Sequence, residues 1–217
     1  MLRRFTPRND KAGFTLAEVL ITLVIIGVIA ALTIPNLMQK YRKHEVETKL
    51  LKFYSTMNNA LALSERDNGR IEDWPLGGIY NYDENQVFVD TYIKNYIKYT
   101  KMERENSHLP TLGIKITFDD GSAMNIANSL VVFYPNAKKT QINGKDAFVF
   151  RINKAMQYKR KEKLVPHCVY DVSTPQAIEN ALKNSPYGCV KGANMWHCAL
   201  LIQRNGWKIP DDYPVRF

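Results

Sequence analysis

The stretch KAGFTLAEVLITLVIIGVIAALTIP, residues 11–35, decides how the rest of this 217-residue chain is interpreted. From Phe14 to Ile34 it is almost entirely apolar, and Glu18 is its single charged residue. An α-helix rises about 1.5 Å per residue, so a run of this length spans the roughly 30 Å hydrocarbon core of a bilayer. The stretch therefore predicts one membrane-spanning helix.

A short basic leader precedes the apolar run. It contains four basic residues and one acidic residue: Arg3, Arg4, Arg8, Lys11 and Asp10. Basic flanks of membrane helices stay in the cytoplasm, so everything after Pro35 is predicted to be exported. A secretory signal peptide does not fit, because its apolar region covers only about 7–15 residues and a small-residue cleavage site follows it.

Glu18 is the feature that a plain membrane anchor does not explain. Placing an unpaired carboxylate inside a membrane helix costs a few kcal/mol of free energy. Such a residue is therefore rare unless its charge is paired. We therefore expect Glu18 to have a partner.

The residues GFTLAEVLITLVIIGVIAALTIP resemble the N-terminal signature of type IV pilins and type II secretion pseudopilins. In that family a prepilin peptidase, an aspartic peptidase on the cytoplasmic side, cuts between the glycine and the phenylalanine and methylates the new amine. The resemblance implies cleavage between Gly13 and Phe14 and N-methylation of Phe14. It also implies that Glu18 neutralises the amine of a neighbouring subunit and so sets the filament register. Pro35 stands where many members have a helix-kinking proline, and it should bend the helix without ending it.

The chain after Pro35 alternates helical and strand patterns. Apolar residues recur at intervals of three and four over residues 36–67, and Asn68-Gly69 is a helix stop. Two further helices are predicted, over residues 86–101 and 175–184. Period-two alternation and turn residues predict four strands, over residues 114–118, 123–126, 130–134 and 147–152. The tail that follows Asn205-Gly206 is predicted to be exposed and to cover the edge of the head.

These elements predict an α+β fold with a small antiparallel sheet. A long helix packed across such a sheet is the architecture of pilin heads, as the resemblance implies. The predicted organisation is a cytoplasmic leader (1–13), a transmembrane and polymerisation helix (14–35) and a pilin-like globular head (36–217). The head includes the amphipathic half of the long helix.

Three cysteines, Cys168, Cys189 and Cys198, lie in the part predicted to be exported, where a disulfide can form. Three thiols cannot all pair within one chain. Cys189–Cys198 is the favoured pair, and pairing of Cys168 with either of the others stays open. Pilins with a disulfide-bounded C-terminal loop support the first pairing by resemblance.

Metal chemistry has little support in the sequence. His167-Cys168 and His197-Cys198 offer zinc ligands, but they lack the C-x-x-C or H-x₃₋₅-H spacing of zinc sites. Two acidic pairs, Asp119-Asp120 and Asp211-Asp212, lack a graded calcium loop and are predicted to be solvated turn residues. We predict no metal and no cofactor.

The composition is that of a folded protein, with 45% hydrophobic residues and a formal net charge of +9. No P-loop, nucleophile elbow, zinc-protease or dinucleotide-binding motif occurs, so the chain is predicted not to be an enzyme. The basic residues are scattered, which favours a solvated surface over a nucleic-acid interface, although DNA binding stays open.

The resemblance implies a structural subunit of a type IV pilus or a type II secretion pseudopilus. Its expected partners are prepilin peptidase, other pilin or pseudopilin subunits, and an inner-membrane assembly platform with its ATPase. The expected location is the bacterial inner membrane, crossed once with the N-terminus inside, and then a periplasmic or surface filament. The alternatives are a DNA-uptake pilin with a basic head and an ordinary single-span membrane protein with an extracytoplasmic binding domain.

Overall fold

The computed structural model describes residues 13–106, 112–154, 162–168 and 173–217. The chain divides into two compact units, of which the first ends at Tyr41 and the second is Arg42–Phe217. One helix, α1 (Leu16–Asn68), contributes to both units. Most of the predicted leader lies outside the described residues.

Helix α1 contains Pro35 and continues past it, as predicted. It ends at Asn68, and Gly69 has a φ of +83°, the left-handed conformation that commonly terminates helices and that glycine adopts without steric cost. The bend expected at Pro35 stays a prediction.

The part of α1 in the first unit exposes its apolar side chains. Phe14 is 90% exposed and Val24 is 65% exposed. By length and composition this helix contains a segment that can cross a membrane, and none of that segment is buried within the chain.

In the second unit α1 packs one face on a sheet. The buried residues of this face recur at helical spacing and include Leu50, Phe53, Met57 and Leu61. The ring of Phe53 stacks on that of Phe133 at 4.2 Å between centroids and meets Phe150 edge-on at 5.4 Å. The core of this unit therefore lies between α1 and the sheet.

The sheet that the described residues form has six antiparallel strands, each paired with its neighbour in sequence. The strands are β1 (Lys101–Asn106), β2 (Leu112–Thr117), β3 (Ala123–Ala127), β4 (Leu130–Tyr134), β5 (Phe148–Ile152) and β6 (Leu164–Pro166). The four predicted strands correspond to β2–β5, and the α+β fold class is confirmed. The two edge strands, β1 and β6, were not predicted.

The helices after α1 are α2 (Tyr82–Tyr92), α3 (Pro175–Lys183) and α4 (Cys198–Arg204). The prediction for α3 is confirmed, whereas α4 was missed. The predicted helix over residues 86–101 is wrong at both ends. The side chain of Asn81 accepts hydrogen bonds from the N–H groups of Asp83 and Glu84 and so begins α2 earlier, and the chain enters β1 at Lys101.

The C-terminal tail is held against the head, and the expectation that it is exposed is wrong for Ile209. That residue is 3% exposed, and its N–H donates to Glu47 Oε1 at 2.9 Å. Lys208 Nζ donates to the other carboxylate oxygen of Glu47 at 3.0 Å. Farther along, the hydroxyl of Tyr213 donates to the carbonyl of Gly144.

Asn58 on α1 holds the edge strand β6. Its Oδ1 accepts from the N–H groups of Lys163 (2.8 Å) and Leu164 (3.0 Å), and its Nδ2 donates to the carbonyl of Leu164 (3.3 Å). One side chain thereby satisfies backbone groups that no further strand pairs with.

We expect Asn58→Ala to lower the free energy of unfolding by about 1–3 kcal/mol, because partly buried backbone groups lose their partners. The measurement is urea unfolding of the full chain in detergent micelles. The matched control is Asn59→Ala, at the exposed neighbouring position, which should change stability by less than about 0.7 kcal/mol and in the stabilising direction. Equal effects of the two substitutions would contradict the role given to Asn58.

Candidate functional site

The start of α1 is a reciprocal N-terminal cap formed by Thr15 and Glu18. The N–H and the hydroxyl of Thr15 both donate to Glu18 Oε2 at 2.8 Å. In return, the N–H of Glu18 donates to Thr15 Oγ1 at 3.2 Å. This is the capping box, in which a threonine and a glutamate three residues later satisfy each other's backbone donors.

The cap gives Glu18 a partner within its own chain. The expectation that this carboxylate needs a partner is met locally, so the apolar setting of Glu18 does not by itself require a second subunit. The T-x-x-E spacing before an apolar run is the sequence signal for this cap, and it predicts the capping box from residues 15–18 alone.

The bond between Gly13 and Phe14, the predicted cleavage site, is exposed at the beginning of the described residues. Phe14 is 90% exposed, and a methyl group added to Gly13 would meet no atom within 4 Å. Packing against the described residues therefore does not demand glycine at position 13. A requirement for glycine at this position would have to come from a partner that acts on the bond between Gly13 and Phe14.

A disulfide joins Cys189 and Cys198, the pair that the sequence analysis favoured. It ties the loop after α3 to the first residue of α4, and both cysteines are buried. Cys168 is also buried and lies in a small apolar cluster with Ile178 and Leu200. The disulfide thus closes the C-terminal region of the head.

The two histidines considered as zinc ligands lie near each other in the head. The rings of His167 and His197 are 6.1 Å apart, and Nδ1 of His197 donates to the carbonyl of Ala181 at 2.9 Å. Among the described residues no group of three or more histidine, cysteine, aspartate or glutamate side chains is arranged to hold a metal ion. The pair therefore does not form the zinc site that was weighed above.

His167 is 2% exposed, and neither of its ring nitrogens has a hydrogen-bond partner among the described residues. Burial, together with the charges of Arg151 and His197, lowers the pKa of His167 to about 3. This histidine is therefore neutral in the folded head over the physiological range of pH.

One carboxylate of each acidic pair considered as a calcium ligand forms an ion pair with a lysine. Lys52 Nζ lies 2.8 Å from Asp120, and Lys43 Nζ lies 3.1 Å from Asp211. Burial raises the pKa of Asp120, but hydrogen bonds from Lys52 and Ser122 outweigh it and lower that pKa to about 2. Asp120 and Asp211 are therefore turn residues that form ion pairs with lysines.

Two family descriptions match this chain. Residues 36–217 match a family described as a family of unknown function (DUF6613), and residues 8–34 match the prokaryotic N-terminal methylation motif. The first match covers the head and the second covers the apolar helix with part of its leader. No solved structure matches the chain significantly.

Curated relatives match the N-terminal part of the chain. The type II secretion system core protein G of Aeromonas hydrophila is 38% identical over 63 residues, which are 29% of this chain and 43% of that protein. The protein of the same name from Escherichia coli K12 is 41% identical over 28% of this chain and 41% of its own length. The type IV major pilin protein PilA of Myxococcus xanthus is 36% identical over 29% of each chain. The match therefore spans less than half the length of these relatives.

We expect loss of the disulfide to lower the free energy of unfolding by about 2–3 kcal/mol, because closing a short loop restricts the unfolded chain. The measurement compares urea unfolding of the full chain in micelles with and without dithiothreitol. The control is the Cys189→Ala/Cys198→Ala double variant, which should be insensitive to the reductant. An equal response of both proteins would contradict the pairing.

Stability should fall as the pH falls through the range in which only the unfolded chain protonates His167. The pKa of this histidine is about 3 in the folded head, whereas a solvated histidine titrates near 6.5, so its stabilising contribution is complete above pH 6.5 and declines below it. We expect His167→Phe to flatten the pH dependence of unfolding between pH 6.5 and about 4. The exposed Asn59 supplies the control, and Asn59→Ala should leave the slope of the original chain. An unchanged slope in His167→Phe would contradict the assignment.

Proposed function

We propose that this chain, a member of the family of unknown function DUF6613, is a structural subunit of a filament of the type IV pilin or type II secretion pseudopilin kind. The observation that carries the proposal is the motif over residues 8–34, which coincides with the exposed, membrane-compatible start of α1. Because this helix is apolar on all sides, its contacts with lipid can be replaced by contacts with the apolar helices of other subunits.

The proposal includes processing and assembly. The basic leader stays in the cytoplasm, prepilin peptidase cuts between Gly13 and Phe14, and the new amine of Phe14 is methylated. Other pilin or pseudopilin subunits then pack against residues 14–35, with an inner-membrane platform and its ATPase as the machinery. The head, residues 36–217, is exported and ends in the periplasm or at the cell surface.

The local cap refines the role proposed for Glu18. In the single chain Thr15 holds the carboxylate at the start of the helix through three hydrogen bonds. Those bonds reduce the cost of keeping Glu18 in the membrane, and they fix the charge next to the residue that becomes the N-terminus. A carboxylate held there is placed to neutralise the amine of a neighbouring subunit during assembly.

We favour a secretion filament over a surface pilus, because relatives from several bacteria carry the name type II secretion system core protein G. The pilin of Myxococcus xanthus matches over a similar share of this chain, so the stalk alone supports both uses. The DNA-uptake alternative has weaker support, because many basic side chains of the head, among them Lys43, Lys52 and Lys163, form ion pairs with acidic ones.

We expect cells with an active prepilin peptidase to yield a mature chain that begins at N-methylated Phe14. The measurement is mass spectrometry of the N-terminal peptide from the membrane fraction. The control is Gly13→Leu, in which a large side chain obstructs approach to the bond, and this variant should retain Met1 and the leader. A mature chain that keeps Met1 in the presence of the active peptidase would contradict the proposal.

A matched pair of variants separates the two roles of Glu18 in the same cells. Glu18→Gln keeps a side chain that can accept the Thr15 N–H but removes the charge, whereas Thr15→Val keeps the charge and removes the hydroxyl. Both should be cleaved, and Glu18→Gln should lower the yield of sheared filaments by at least about tenfold, more than Thr15→Val does. Equal yields from Glu18→Gln and the original chain would contradict the role of the charge in assembly.

A further inference from the structure

The charges around the apolar helix are unevenly placed. No acidic residue occurs between Glu18 and Glu45, whereas Lys40, Arg42 and Lys43 follow closely after the apolar run. If the leader is removed as proposed, the basic side chains that remain flank the helix only on the side of the head, and the other side keeps the amine of Phe14. That distribution is the reverse of the usual bias of membrane proteins, so these cations call for an explanation of their own.

Arg42 lines a cavity of about 360 Å³ in the second unit together with Lys139 and Lys145. Two carboxylates, those of Glu45 and Asp146, also line it, but both are engaged. Lys49 lies 2.8 Å from Glu45, and the side-chain amide of Asn143 donates to Asp146 at 2.7 Å.

The three cations form few contacts of their own, and they exceed the two carboxylates of the cavity by one charge. Among the described residues Arg42 and Lys139 have no ion pair and no side-chain hydrogen bond, and Lys145 Nζ reaches only the carbonyl of Arg216 at 3.4 Å. The adjacent Lys43 differs, because it forms an ion pair with Asp211 at 3.1 Å. The side chains of the cavity therefore carry a small excess of positive charge, and three cations without ion pairs to described residues surround a space large enough for a small anionic group.

The sequence position of Arg42 limits how far this residue can lie from the apolar helix. Arg42 is four residues beyond Met38, an exposed apolar residue of α1, and four residues of chain span at most about 14 Å in any conformation. If the apolar helix lies in the bilayer, Arg42 is within reach of the lipid headgroups. Phe217, which also lines the cavity, offers an apolar surface beside the cations.

We propose that Arg42, Lys139 and Lys145 bind the phosphodiester headgroup of an anionic phospholipid, of which phosphatidylglycerol is the probe chosen here. Arginine and lysine are the side chains that bind phosphate oxygens, and basic clusters next to a membrane helix recognise anionic lipids. The inference rests on the proposed membrane insertion of α1, but not on filament assembly. Such a contact holds the head against the membrane surface until the subunit is extracted.

The test is native mass spectrometry of the full chain in detergent micelles that contain equal amounts of phosphatidylglycerol and phosphatidylcholine. The original chain should retain phosphatidylglycerol in preference. The variant Arg42→Gln/Lys139→Gln/Lys145→Gln should lose that preference by at least about tenfold, since each cation near a membrane contributes about a fivefold gain. The measurement needs no filament, so its outcome is independent of whether the subunit assembles.

Three controls make the result specific. Lys98→Gln/Lys191→Gln/Arg204→Gln removes the same charge from exposed positions outside the cavity and should keep the preference. The charge-conserving variant Arg42→Lys/Lys139→Arg/Lys145→Arg should keep it as well, which separates lost binding from lost folding. Millimolar inorganic phosphate should leave the bound lipid in place.

Several outcomes would overturn the proposal. Equal retention of phosphatidylglycerol by the original chain and the cavity variant would remove the site. An equal loss in the second triple variant would reduce the effect to net charge. Displacement of the lipid by inorganic phosphate would assign the cavity to a free anion and not to a membrane headgroup.

Discussion

The packing of α1 on the sheet is the interaction on which the head depends. Phe53 contacts Phe133 on β4 and Phe150 on β5, so one helix residue packs against two adjacent inner strands. Aromatic side chains bury large areas, and offset or edge-on ring contacts add to that gain. Because α1 also carries the apolar stretch, the residues that build the core of the head belong to the same helix as the proposed anchor.

Polar side chains of α1 also hold segments at the edges of the head through hydrogen bonds. Asn58 bonds the backbone of β6, and Glu47, which is 7% exposed, holds Lys208 and Ile209 of the tail. A nearly buried carboxylate requires partners, and the tail supplies a backbone N–H and an ammonium group. The C-terminal segment is therefore part of the head's structure and not a free extension.

The sequence predicted the elements whose signals are local. The central strands β3 and β4 alternate or run apolar between turn residues, and Thr174 begins α3 with a side chain that accepts from Ala177. It did not predict β1, whose sequence KMEREN is mostly polar and whose pairing depends on β2. It did not predict β6 either, since three residues carry no periodic signal and Asn58 lies more than a hundred positions earlier.

In the candidate site, too, the sequence predicted one part of the arrangement and missed another. The missed part changes the interpretation of Glu18. The type of residue and its spacing pointed to the pilin family, and residues 8–34 match the prokaryotic N-terminal methylation motif. A carboxylate in an apolar helix was expected to need a partner from outside its own helix, whereas Thr15 partners it at the start of α1. A capped glutamate costs an isolated membrane helix less free energy than an uncapped one, so its presence there no longer requires a second subunit.

The cap does not explain why this position carries a charge, since glutamine forms the same box. The need for a charge therefore has to arise where the carboxylate meets a cation, and the amine created by cleavage at Phe14 is the cation that the motif supplies.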